Sequence, residues 1–68
     1  MKTGTIKMYN AERGFGFIIE DDTEDELFLN AADIHPKARN KRLREGVRVK
    51  FDVRSDMKGD KAVNVRPL

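Results

Sequence analysis

The chain has 68 residues, no cysteine, 38% charged residues and a formal net charge of +2, which excludes a disulfide framework and a thiolate metal site. A domain of this length buries only about 60% of the surface its unfolded chain exposes, so its core is thin, and residues 1–68 are expected to form one domain and no more. Neither a signal-peptide core after Met1-Lys2-Thr3-Gly4 nor an apolar run of about 20 residues is present, so a cytoplasmic protein that does not enter membranes is expected.

Hydrophobic alternation predicts five short strands, at Thr3–Tyr9, Phe15–Glu20, Glu26–Asn30, Val47–Arg54 and Ala62–Arg66. In the second, Phe15 and Phe17 project to one side while Gly14, Gly16 and Ile18 face the other. Phe28 stands between Leu27 and Leu29 in the third, so its ring can join the first two while the leucines enter the core. From Asp33 to Glu45 the chain is expected to form a long basic loop, with Pro36 opening a turn. Val47, Val49, Phe51 and Val53 alternate with Arg48, Lys50, Asp52 and Arg54, which predicts one buried and one wet face. Gly59, in Met57-Lys58-Gly59-Asp60, allows a turn into the last strand, where Val63 and Val65 are expected to return to the core. Five strands in so short a chain would leave open sheet edges unless they close, so an all-β antiparallel barrel is the expected fold.

Three rings left outside a small core have a cost, since each would contribute roughly 1.5 to 3 kcal/mol if buried. Flat rings beside Lys7 and Arg13 suit unpaired nucleotides, because every base has a π-face and every nucleotide a phosphate. Charge is also unevenly placed. Six of the seven residues from Glu20 to Glu26 are acidic, whereas Lys37, Arg39, Lys41, Arg42 and Arg44 make the later loop basic. That asymmetry points to a charged partner, with the acidic rim turning phosphate away and the basic loop drawing it in. His35 is the only histidine and the acidic run lacks the ordered spacing of a calcium loop, so neither metal nor cofactor is expected. Ser55 is the only serine, and Gly14-Phe15-Gly16 lies within a strand pattern rather than before a phosphate-binding helix, which argues against an enzyme.

Gly4-Thr5-Ile6-Lys7, Asn10-Ala11-Glu12-Arg13-Gly14-Phe15-Gly16-Phe17-Ile18, Leu27-Phe28-Leu29, Glu45-Gly46 and Ala62-Val63-Asn64-Val65 together resemble a cold-shock domain across almost the whole chain. The resemblance implies a five-stranded antiparallel OB-fold barrel that binds single-stranded RNA or DNA on the face of its first three strands. It places Lys7, Arg13, Phe15, Phe17, Phe28 and Lys58 on positions that commonly touch nucleotides. Departures from the family pattern are concentrated on the same face: Met8 stands where Trp is usual, Tyr9 where Phe is, Asn30 where His is, and Ala31 where Phe is. Met8, Tyr9 and Asn30 complete the candidate set, as an apolar contact, a ring and a hydrogen-bonding amide. The loop near Asn40 also lacks the aromatic residue common there.

Since base stacking is worth about 1 to 3 kcal/mol per base, the missing rings imply weaker binding that leans on charge, with less base preference and a steeper salt dependence. The expected function is that of a non-catalytic RNA chaperone or regulator of transcription or translation. The alternative is a barrel of the same family turned to protein interaction. A monomer is expected, with exchange of strands through the long loop as the route to a dimer.

Overall fold

The computed structural model describes residues 1–38, 43–57 and 59–68; expectations for Arg39, Asn40, Lys41, Arg42 and Lys58 lie outside them. Five strands, β1 (Lys2–Asn10), β2 (Phe15–Glu20), β3 (Glu26–Asn30), β4 (Arg48–Asp56) and β5 (Gly59–Pro67), close into a barrel in the order β1-β2-β3-β5-β4. The second and third strands have the expected limits. β1 and β5 extend beyond both expected ends, and β4 starts one residue late, at Arg48, and runs on to Asp56, because backbone pairing continues where the side-chain pattern ends: β4 and β5 remain paired out to Asp56 and Gly59, so Gly59 opens β5 instead of lying in the turn. Near that end the Ser55 hydroxyl donates to Asp60 Oδ1 at 2.7 Å. One pairing departs from the antiparallel expectation. β3 and β5 meet in parallel, Phe28 beside Lys61 and Leu29 beside Ala62, because the chain crosses the barrel end between β3 and β4 before β5 returns.

Two single-turn 3-10 segments, Ala31–Asp33 and Pro36–Ala38, occupy the first part of the expected long loop. Asn30 caps the first by accepting the Ala32 amide on Oδ1 at 2.9 Å. Ile34 bridges to Val65, and Ile34, Ala38 and Leu43 are buried, so apolar side chains anchor this connection to the barrel. The core is built from Ile6, Ile18, Leu27, Leu29, Val49, Phe51, Ala62 and Val65, with Val47 and Val53 packed against it. Val63 and Val65 are both buried, as expected, but Val63 stands outside that cluster. Asn64 adopts φ 54° and the β4–β5 register shifts between Lys50 and Asp52, so the inward sequence is Ala62 then Val65. Asn is one of the few residues that tolerate this left-handed backbone.

The acidic run is an ordered connection tied to cations of neighbouring strands. Glu20 is buried at the barrel end, where Lys2 Nζ lies 3.1 Å from Oε1 and the Thr23 hydroxyl donates to Oε2 at 3.1 Å. Asp21 binds Arg48, and Glu26 binds Lys7.

Candidate nucleic-acid interface

A bulge in β1 shapes the outer face. Ile6 opposes Ile18 and the next paired residue, Met8, opposes Phe17, which leaves Lys7 as the extra residue. Lys7 and Met8 are consequently both exposed, and Tyr9 turns inward to pack against the core. Gly16 makes room for this. A Cβ there would collide with the Met8 carbonyl oxygen and stand 2.9 Å from Tyr9 Cδ1.

Directly paired residues share a face, so the registers align the outer side chains in rows across the sheet. One row is Met8, Phe17, Phe28 and Lys61, drawn from β1, β2, β3 and β5; the next is Asn10, Phe15 and Asn30. Phe17 meets Phe28 edge to face with centroids 5.8 Å apart, while Phe15 lies 6.3 Å from each, edge-on to Phe17 and nearly parallel to Phe28. These are favourable aromatic geometries, and they fix the orientation of the group before any ligand arrives. Met8 and Phe28 are each 37% exposed, and Phe15 and Phe17 are half-buried. Ile18, Leu27 and Leu29 occupy the core face behind the rings.

The structure therefore brings Phe15, Phe17, Phe28 and Met8 together and leaves Tyr9 behind the sheet. Asn30 is exposed beside Phe15, but its amide oxygen is committed to capping, which leaves its NH2 group to face a ligand. Arg13 is exposed in the β1–β2 turn, where Asn10 Oδ1 accepts its backbone N–H at 3.0 Å and Asn10 O accepts that of Gly14 at 2.8 Å. Gly14 has φ +76°, a conformation that glycine adopts without a steric cost. Lys7 Nζ is 2.9 Å from Glu26 Oε2, so the cation at this rim already has a carboxylate partner.

Lys61 was missed by sequence reasoning. It extends the aromatic row on the far side of Phe28 and lies 3.6 Å from Asp33 Oδ2. Only the parallel β3–β5 seam puts it there, and no local pattern signals that seam. Pairing of Lys7 with Glu26 was likewise hidden, since the two are 19 residues apart.

The family model for the 'Cold-shock' DNA-binding domain matches residues 2–68. A cold shock-like protein of Aquifex aeolicus is 42% identical over 65 residues, covering 96% of this chain and 91% of its own length. Cold shock protein CspC of Bacillus subtilis is 42% identical over 66 residues, 97% of each chain. The major cold shock protein of Streptococcus pyogenes is 41% identical over 68 residues, 100% of this chain and 98% of its own. With such identity maintained over nearly its whole length, and with a closed five-stranded barrel, the chain belongs to the cold-shock domain family, whose members bind nucleic acid and are not enzymes.

Proposed function

We infer that the chain, acting as one unit over residues 1–68 and as a cytoplasmic monomer, binds single-stranded RNA or DNA on the outer face of β1–β3 and serves as an RNA chaperone or a regulator of transcription or translation. The observation that carries this reading is the set of three mutually oriented rings, Phe15, Phe17 and Phe28, on the outside of a barrel with a small core. Stacking at about 1 to 3 kcal/mol per base compares with a mean of about 1.4 kcal/mol for a DNA base-pair step, so a few stacked bases hold a short paired segment open. Strands are trapped unpaired, and no covalent bond changes.

Met8 extends the apolar row, Asn30 offers amide donors, and Lys7, Arg13 and Lys58 supply phosphate contacts. Tyr9 acts from behind by supporting the sheet. The test is fluorescence anisotropy of labelled oligo-U, oligo-dT and oligo-A with wild type and Phe15→Ala/Phe17→Ala at two salt concentrations. Binding by wild type and its loss in the folded double variant are expected. If neither protein binds at low salt while both are folded, the reading fails, and the search moves to protein partners for the eroded face, which has Met8, Asn30 and Ala31 in place of rings.

A further inference from the structure

Lys50 of β4 and Arg66 of β5 are direct cross-strand partners. Their neighbours Val49 and Val65 fill the core, so both cations project from the outer face of the barrel. Like charges in directly opposed positions destabilise a sheet. Neither residue forms an ion pair with a described residue. Arg66 is instead held over the face by uncharged acceptors, donating from Nη1 to the Asn64 carbonyl oxygen at 2.8 Å and from Nη2 to Met1 Sδ at 3.1 Å.

A third cation lies nearby. Lys37 and Arg66 together line two adjoining open grooves, of about 470 Å³ and about 350 Å³. His35 lines the larger groove, and its Nδ1 accepts the Lys37 backbone N–H at 3.1 Å, which leaves Nε2 to carry the ring proton as a donor. Asp52 is the one acidic side chain lining these grooves among the described residues, and Asn64 Nδ2 approaches its Oδ2 at 3.4 Å. Among the described residues, no aromatic ring other than the His35 imidazole lines either groove. Such a surface attracts a polyanion through charge and has no phenyl or phenol platform on which to stack its bases.

We propose that the β4–β5 face, through Lys37, Lys50 and Arg66, is a second contact for the phosphodiester backbone of single-stranded nucleic acid, independent of base, so that one molecule holds two segments of strand at once. The polyanion is identified by charge complementarity, and its presence near the protein rests on the reading of the aromatic face given above. The barrel measures only 27 × 23 × 19 Å, so a strand of moderate length reaches both faces, whereas a very short one does not.

The experiment compares oligo-dT of about 6 and about 24 nucleotides binding to wild type and to Lys37→Gln/Lys50→Gln/Arg66→Gln over a salt series. For the triple variant, binding of the short strand within about twofold of wild type is expected, with the long strand bound at least about tenfold more weakly. The slope of log affinity against log salt should fall by about 2 for the long strand, because each phosphate contact on a single strand contributes about 0.7. Melting temperature should hold or rise as the like-charged pair is removed. The charge-preserving Lys37→Arg/Lys50→Arg/Arg66→Lys variant should retain wild-type affinity and slope, which separates contact by charge from a fold defect.

Unchanged long-strand affinity and slope in the triple variant would overturn the proposal. Equal losses for both lengths would also overturn it, since they would report the net charge of the molecule rather than a site. Polyglutamate binding more tightly than the long strand, with the same dependence on the three cations, would reassign the face to an acidic polypeptide. If the short strand fails to bind wild type while long-strand binding still depends on the three cations, the aromatic-face reading fails, and the phosphate contact at Lys37, Lys50 and Arg66 stands as the first contact rather than the second.

Discussion

Arg48 grips Asp21 with both arms of its guanidinium, Nη1 donating to Oδ1 at 2.7 Å and Nη2 to Oδ2 at 2.6 Å. The same Nη1 lies 2.9 Å from the Thr5 hydroxyl, and the Thr3 hydroxyl donates to Asp21 Oδ2 at 2.7 Å. One fork thereby ties β4 to β1 and to the β2–β3 connection, at the end of the barrel where the acidic run begins. Planar bidentate geometry of this kind is available to the guanidinium fork of arginine and not to the ammonium group of lysine.

The pH dependence of stability follows from this fork. Hydrogen bonds from Arg48 and Thr3 lower the Asp21 pKa from 3.8 to about 2. A carboxylate with a depressed folded-state pKa adds stability above its unfolded value, and that stability is lost as pH falls from about 4 through about 2. Denaturation midpoints measured from pH 7 to pH 2 should therefore show Arg48→Gln less stable than wild type at neutral pH, with the difference closing toward pH 2. A constant difference across that range would separate the acid transition from Asp21.

Phe17 is the ring shared by both edge-to-face contacts. Phe17→Ala is expected to weaken binding of short single strands by roughly 5- to 150-fold, the equivalent of about 1 to 3 kcal/mol for one stacked base. The salt slope should not move, because no phosphate contact is removed. Anisotropy titrations of oligo-dT at several salt concentrations read both quantities.

Met8 lies in register with Phe17 and is exposed. Placing a ring there by Met8→Trp should strengthen binding by up to about the same factor and should quench tryptophan fluorescence when a base stacks on it. A bound complex with unchanged emission and unchanged affinity would remove Met8 from the nucleotide path.

Glu26 occupies Lys7 in the free protein. On strand binding, phosphate must compete with this carboxylate, so part of the counterion release expected from Lys7 is cancelled. Glu26→Gln is accordingly predicted to raise affinity at low salt and to steepen the salt slope by somewhat less than 1. A loss of affinity in a folded Glu26→Gln protein would mean that the carboxylate itself contacts the strand.

Gly16→Ala should cost roughly 1 to 3 kcal/mol, because the added methyl group has to displace backbone of β1 as well as the Tyr9 ring. Thermal melting by circular dichroism checks this, with Phe28→Ala as the comparison that removes an exposed ring without touching the β1–β2 seam.

Legibility of the site tracked sequence distance. Phe15, Phe17 and Phe28 could be assigned to one face because alternation along a strand is a local property of the extended backbone, and the core side of each strand was already supplied by Ile18, Leu27 and Leu29. Tyr9 was assigned to the same face and turns away from it. The reason is a single extra residue at Lys7, since one inserted position in a period-2 pattern reverses every side chain beyond it. Val63 is buried as expected but lies outside the main cluster for a related reason, the register shift around Asn64.

From sequence alone came the number of strands, the outward set of three phenylalanines, the family resemblance and the depletion of stacking residues at Met8, Asn30 and Ala31. These depend on residue types at short, regular spacings, which covalent geometry converts directly into faces and turns. Tertiary structure decided that β3 meets β5 in parallel, that Lys61 completes the aromatic row, that Glu26 holds Lys7 and that Lys50 stands against Arg66. Each of these relationships joins residues more than ten positions apart, and closure of the barrel, with the bulges that permit it, selects which distant residues become neighbours.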